Sequence, residues 1–390
     1  MQFTIPHYYN SFRCIAAQCS DTCCAGWAIM IDDQSIKKYR AQNDALGEKL
    51  LNGIDWKKGC FKQKTGRCAF LNGANLCDIY TDAGPSMLCK TCRQYPRHTE
   101  EYEGVRELSL SMSCEEAAKL ILGLKEPVHF LTKEDDREES YPEFDFYLFS
   151  KLMDVREEVI SLLQNRNRDI PLRASMVLGL VHDLQRRIRE GKLYQTDELI
   201  ARYRDTPCEE FFRMKEGEYR VSDRERYEII KNWFHLLDKL EVLNQEWPVY
   251  IGELKALLFE NGPEHYGKTR EKFYEYLDSE PERKREWNQW LEQLLVYFIY
   301  TYFCGAVYDE QPYVKAKMAV ICTIFIAELA QAVYIQNGDS LTFNEFVRLV
   351  HRFSRETEHS DQNLNALENA FRTEKTYGLK EVLRVLTGIA

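Results

Sequence analysis

Cys14, Cys19, Cys23 and Cys24 stand in a C-x4-C-x3-C-C run near the start of the chain. Six more cysteines follow at Cys60, Cys68, Cys77, Cys89, Cys92 and Cys114, so ten of the thirteen lie in the first 114 residues. Thiolates are soft, polarisable donors, and such a concentration of them suits zinc or an iron-sulfur cluster. Spacing alone leaves the choice of metal open. A structural zinc site pairs two short C-x(2 to 4)-C knuckles; Cys89 and Cys92 supply one, but the first four cysteines do not resolve into another. The run also departs from the C-x2-C-x2-C spacing of ferredoxins, and Gly26 stands where C-x3-C-x2-C needs its third cysteine. Adjacent side chains leave the backbone in different directions, so Cys23 and Cys24 can face different centres.

The rest of the composition says what these thiols are not needed for. A chain of 390 residues that is 44% apolar and 13% aromatic can fold by burial alone, without disulfide staples. Its start, MQFTIPHYYNSFRC, lacks the basic head and apolar stretch of a secretory signal. The expectation is a cytoplasmic protein whose thiols stay reduced. A net charge of −10 argues against nonspecific nucleic-acid binding, which relies on Lys and Arg at phosphates, and mildly favours a lysine-bearing partner. The longest uncharged stretch, Gln293 to Tyr308, falls short of the roughly 20 residues that cross a bilayer, and reads as a buried core helix with no membrane role.

The elements that must position the cysteines are short. Gly53, Gly59, Gly66, Asn72-Gly73 and Gly84-Pro85 interrupt residues 1–124, which read as a small irregular cysteine-rich metal-binding domain. Helices are predicted around Ser35 to Leu51 and Glu115 to Leu122, and a strand around Val105 to Ser111. Residues 125–145, with Pro127, Pro142 and KEDDREES, read as a charged linker. From 146 to 390 the apolar spacing is helical, as at Met176, Val177, Leu180, Val181, Leu184 and Ile188, and predicts an all-α domain of nine or ten helices that scaffolds or binds substrate. Thr342-Phe343-Asn344-Glu345 is a capping box that starts one of them, after a turn at Asn337-Gly338 and an apolar helix over Val314 to Ile335. The fold class is thus mainly α, with the cysteine-rich domain in front.

Read in order, FRCIAAQCSDTCCAGW (Phe12 to Trp27), GRCAF around Cys68, NLCDIY around Cys77, CRQYPRH (Cys92 to His98) and ELSLSMSCEE around Cys114 resemble the flagellin lysine-N-methylase family. The resemblance covers the N-terminal third; the helical remainder is compatible in length and offers no motif of similar strength. It implies methyl transfer from S-adenosylmethionine to lysine side chains of flagellin with the help of a [4Fe-4S] cluster. By position it implies Cys14, Cys19, Cys23, Cys24, Cys68, Cys77, Cys92 and Cys114 as the metal-binding series. Cys60 and Cys89 fall outside the pattern and read as packing or spare thiols, with Cys89 a competitor of Cys92. The same cysteine core also resembles a broader group of zinc- or iron-chelating proteins, which keeps zinc as the alternative metal and a non-enzymatic interaction platform as the alternative function.

Lysine methylation needs a held methyl donor and a neutral amine, although an amine pKa near 10.4 leaves few neutral molecules at pH 7. No glycine loop follows a first strand in the manner of a Rossmann-like donor site. Under the resemblance, a cluster iron would then help chelate the amino and carboxylate groups of the donor. Arg97, like Arg93, lies near Cys92 and is a candidate for the donor carboxylate or for balancing a cluster's charge, with a surface salt bridge as the plain alternative, and Trp27, like Tyr95, is a candidate for stacking on its adenine or else a core aromatic. Tyr297, Tyr300, Tyr302 and Tyr308 read as core and interface residues, and His182, His235 and His351 as ordinary histidines without metal-ligand pairing. Sequence does not choose a catalytic base among 62 acids and 23 tyrosines.

Overall fold

The first strand, β1 (Gln2–Pro6), anchors a four-stranded sheet to which the chain returns only ninety residues later. In the computed structural model, which describes residues 1–386, two short hairpins come next. They are β2–β3 (Ile54–Asp55 with Cys60–Phe61) and β4–β5 (Gln63–Lys64 with Arg67–Cys68). Then β6 (Arg97–Tyr102) and β7 (Val105–Leu110) form an antiparallel pair, β7 lies parallel to β1, and β8 (Phe130–Glu134) closes the order β6-β7-β1-β8. The predicted strand at Val105 is β7. The charged stretch read as a linker contributes β8, whose Phe130 to Glu134 pair with Pro6 to Gln2.

The chain as a whole is mainly helical. Thirteen α-helices follow residue 145 among the described residues, more than the nine or ten expected, because prolines and glycines restart them at short intervals. Pro207, Pro248 and Pro263 each sit in a first helical turn, where a missing N–H costs nothing. The predicted helix at Ser35 to Leu51 is likewise two, Asp33–Arg40 and Ala45–Gly53, each capped by an aspartate: Asp32 accepts from the Ser35 N–H and Asp44 from the Gly47 N–H. Thr342 and Glu345 form the predicted capping box at the head of Phe343–Glu358.

Helix Pro312–Gln336 runs through the centre. By length and composition it could cross a bilayer, yet 94% of its apolar window is buried among the other helices. Within it Glu328 takes hydrogen bonds from Arg226 (2.6 Å) and Tyr266 (2.9 Å), so its charge is paired where water is absent. Of the uncharged stretch, Gln293 to Tyr302 forms the buried end of helix Pro281–Tyr302, as expected, but the remainder turns through a short 3-10 helix, Phe303–Val307, to the exposed Tyr308.

The sheet and the helices share one core. Phe130 stacks on Tyr300 at 4.4 Å, and Arg156 of helix Phe146–Leu163 pairs with the buried Glu107 of β7. The segment from Ile29 to Cys89 has a second, smaller core around Tyr39, Leu50, Phe61 and Phe70, into which Cys68 and Cys89 are also buried. The Tyr39 hydroxyl donates to the Met87 carbonyl at 2.7 Å, and Gly53 leaves the space that the Phe70 ring fills.

Candidate metal centre and its helical clamp

The loop bearing Cys14, Cys19, Cys23 and Cys24 has little regular structure, so its shape comes from side-chain contacts. The Cys19 thiol donates to the Asp21 carbonyl (2.7 Å), the Ala16 N–H donates to the Cys14 sulfur (3.4 Å), and the Trp27 indole N–H donates to the Cys23 carbonyl (2.8 Å). Ser20 bonds Glu115, in the first turn of Glu115–Leu122, which places the loop at the helix that Cys114 precedes. The Cys68 N–H donates to the Cys24 carbonyl at 2.7 Å, tying the far end of the loop to β5. Cys77 and Cys89 occupy the N-cap positions of helices Asp78–Ala83 and Lys90–Gln94, and Cys92 lies within the latter.

These constraints sort the thiols into two neighbouring groups. Cys14 and Cys114 lie close enough to raise Cys23, Cys19 and Cys14 to raise Cys114, and Cys14 to raise Cys19. Cys24, Cys68, Cys77, Cys89 and Cys92 do the same around the smaller core. Cys23 and Cys24 therefore fall on different sides, joined by a thiol hydrogen bond that lowers Cys24 to about 7 and raises Cys23. A hydrogen bond between Cys89 and Cys92 lowers the first and raises the second in the same way. Burial pushes Cys68 and Cys114 up to about 12. The spare thiol Cys89 thus belongs spatially to the second group, whereas Cys60 is buried in β3 with its backbone bridged to Met30.

All thirteen cysteines are free thiols. Among the described residues no three His, Cys, Asp or Glu side chains are arranged around a common point ready for a metal ion. The donor chemistry is nonetheless that of a soft-metal site: clustered thiols, exposed at Cys14 and Cys23, with the pKa of one thiol lowered in each hydrogen-bonded pair.

The helical domain grips this loop from helix Phe343–Glu358. His351 and Arg355 lie 2.9 and 2.6 Å from the Asp21 carboxylate, and Arg355 also donates to the carbonyls of Thr22 and Ala25. Burial alone would raise the Asp21 pKa, but the His351 hydrogen bond and the Arg355 charge hold it well below the carboxylate range. At the end of the same helix His359 packs edge-on against Trp27 (4.7 Å) and Tyr95 (5.6 Å) and bonds the Ser113 hydroxyl through Nε2. Burial, followed by the Arg355 and His351 charges, depresses its pKa to about 3, so it is neutral across the physiological range.

Of the residues proposed for the donor, Trp27 stands in this aromatic patch, 5.9 Å from Tyr95. Arg97 lies over the rings of Tyr9 (5.8 Å) and Phe12 (5.4 Å). Tyr297 and Tyr300 are core residues as read, whereas Tyr302 is half-buried and Tyr308 is exposed; each finds a polar partner. Tyr300 donates to the Thr4 carbonyl, Tyr308 to the Glu101 carbonyl, and Tyr297 and Tyr302 both to Glu358. Asp21, Arg355, Glu358 and His359 escaped the sequence reading; Asp21, inside the cysteine run, carried the one local signal. A groove of about 650 Å³ between helices Ile170–Arg189 and Thr206–Tyr219, walled by Tyr203 and Phe212, includes none of the clustered cysteines.

No solved structure matches this chain. The flagellar biosynthetic protein FliU of Salmonella muenchen is 31% identical over 128 residues, 30% of this chain and 76% of that protein. Lysine-N-methylases of Salmonella typhimurium and Salmonella choleraesuis are 30% identical over 128 residues, and the matched stretch spans about a third (32%) of their length. The family profile described as the FliB lysine N-methylase C-terminal domain matches residues 156–385, the helical part in which no motif was evident. With more than half of its residues inside that profile, the chain belongs to the FliB lysine N-methylase family.

Proposed function

We propose that the protein transfers methyl groups from S-adenosylmethionine to lysine side chains of flagellin, with a [4Fe-4S] cluster held by its N-terminal cysteines. One observation carries the reading: the loop that bears Cys14, Cys19, Cys23 and Cys24 as free thiols is held at Asp21 by a helix within the family's C-terminal domain. Cys14, Cys19, Cys23 and Cys114 on one side, and Cys24, Cys68, Cys77 and Cys92 on the other, are the thiols from which the cluster's iron ligands, four at most, would come. When bound, the cluster supplies an iron site for the amino and carboxylate groups of the donor. The half-buried Trp27 ring would offer the adenine a stacking surface beside it. The names of the curated relatives support lysine as the acceptor and a flagellar protein as its bearer.

Anaerobic incubation of the purified protein with flagellin and methyl-labelled S-adenosylmethionine tests this. The expected result is label on lysine, lost in Cys19→Ala and Cys92→Ala variants that remain folded. A colourless protein with stoichiometric zinc and no transfer would establish the interaction-platform reading instead.

A further inference from the structure

Strand β6 is an edge of the four-stranded sheet, and the direction of its backbone groups follows from its neighbours. The Gln2 N–H donates to the Gly104 carbonyl at 2.7 Å, and Gln2 stands opposite Val105 in the parallel β1–β7 pair, so Gly104 and Arg106 address β1. Val105, Glu107 and Ser109 therefore address β6, where they stand opposite Tyr102, Glu100 and His98. That leaves the N–H and C=O groups of Arg97, Thr99 and Glu101 pointing off the sheet. One of them is taken: the Tyr308 hydroxyl donates to the Glu101 carbonyl at 2.8 Å, which caps the hairpin end of the edge. Among the described residues no hydrogen bond is made by the backbone groups of Arg97 and Thr99 on this side, and both residues are exposed.

The open part of the edge is the end next to the thiols. β6 starts two residues after Tyr95, whose ring lies 5.9 Å from Trp27 beside the cysteine loop. A strand laid along Arg97 and Thr99 reaches that aromatic patch within roughly three further residues. The charge of the edge is selective as well. Glu100, Glu101 and Glu103 stand against Arg97 and the His98 that pairs with Glu100, and the Glu101 side chain is 62% exposed. A second copy of the chain paired through β6 would set these carboxylates against each other, whereas a lysine-bearing strand meets opposite charges. Charges of one sign thus guard the edge against its own kind and leave it open to the other. The opposite edge, β8, has no such surplus, since Lys133 and Glu134 balance, and it stands three strand spacings, about 14 Å, from β6.

We infer that the outer edge of β6 takes an extended, lysine-bearing segment of the protein substrate as a fifth strand, held by the backbone groups of Arg97 and Thr99 and by the Glu101 carboxylate. The inference rests on the lysine-methylation reading above and adds to it the conformation in which the acceptor is recognised. Main-chain pairing accepts many sequences, so it supplies affinity, and the carboxylates favour segments that carry lysine. Transfer is thereby directed to lysines in extended or unfolded segments. A lysine in the middle of a helix does not dock, because its backbone is already bonded.

The test uses the full-length, anaerobically prepared protein with flagellin, read by hydrogen exchange and by the kinetics of labelled-methyl transfer. Saturating flagellin is expected to slow exchange of the Arg97, Thr99 and Glu101 amides and to leave β8 unchanged. Thr99→Pro removes an outward N–H at a position that an edge strand tolerates, and is expected to raise the KM for flagellin about tenfold, with kcat and the KM for S-adenosylmethionine unmoved. Glu101→Lys should also raise the KM for flagellin, and by less at high salt. Thr132→Pro, at an N–H that points off the β8 edge in the same way, should change none of these. An unaltered KM for flagellin in Thr99→Pro and Glu101→Lys, or exchange that flagellin does not slow, would overturn the docking strand while transfer by the wild type still supported methylation. Glu101→Lys and the exchange of the wild type decide if Thr99→Pro does not fold. Absence of transfer by a wild type whose β6 amides flagellin still protects would overturn the methylation reading and leave the edge as a flagellin-binding surface. Absence of both transfer and protection would overturn both.

Discussion

Asp21 in the cysteine loop and Arg355 in the helical domain sit 2.6 Å apart and form the main charged contact between the two. Arg355 is buried and also donates to Thr22 and Ala25, so one side chain fixes three points of the loop. Asp21→Asn is expected to cost about 1.5 to 3 kcal/mol, the range for a charged hydrogen bond, and to expose the loop to proteolysis. The pH dependence has a definite sign. Because the folded-state pKa of Asp21 is depressed, its contribution is complete above the unfolded value near 3.9 and fades as the pH falls below that value. The stability gap between wild type and Asp21→Asn, measured by denaturant unfolding, should therefore shrink between pH 6 and pH 3.

The two thiol groups make a prediction about bound metal that is independent of activity. Cys19→Ser in the first group and Cys77→Ser in the second should each lower the iron and sulfide content of anaerobically prepared protein. Cys322→Ala, in the middle of helix Pro312–Gln336, should leave it unchanged, since that thiol is packed among apolar helices. Elemental analysis of the three variants decides the matter.

The helical domain has its own vulnerable point at Glu328. Its carboxylate is fully buried and meets Arg226 and Tyr266, so Glu328→Ala strands a buried guanidinium and is expected to destabilise by about 3 to 5 kcal/mol. Tyr266→Phe leaves the ion pair intact and should cost only about 0.5 to 1.5 kcal/mol. Thermal unfolding of the two variants should rank them in that order.

Gly179 is a packing glycine. A Cβ there would lie 2.3 Å from Cζ of Phe212 and 3.0 Å from the Tyr203 hydroxyl, so helix Ile170–Arg189 can approach the wall of the groove only without a side chain. Gly179→Ala is expected to destabilise by about 1 to 3 kcal/mol through overpacking, and Gly179→Ala with Phe212→Leu to recover part of the loss.

What the sequence disclosed was what is local. The Thr342–Glu345 box and the strand at Val105 depend on neighbours a few residues apart, and both were readable. The break between helices Asp33–Arg40 and Ala45–Gly53 is also local, but subtle: a Cβ on Gly47 would meet the Gln42 carbonyl at 2.4 Å, so that glycine permits the tight turn. The cysteine half of the candidate site was legible because thiols are rare and their spacing is distinctive. The other half was not. Asp21 and His351 are 330 positions apart, and Glu358 and His359 look like any polar end of an amphipathic helix until the fold brings Ser113 and Tyr297 to them. Long-range pairing of common residues leaves no periodic trace.

Pro6 ends β1 and Arg97 begins β6 at the same end of the sheet, with β7 between them. Everything from the first cysteine to Cys92 is thus a single excursion whose two feet stand about 10 Å apart on a platform made elsewhere in the chain. Its small core is separate from the one the sheet and helices share, so under the proposed function damage to the thiols by air is expected to end in a folded but inactive molecule rather than a precipitate. Recovery of the proposed cluster after reduction would then be a matter of re-ordering one loop, and would not require the whole chain to be made again.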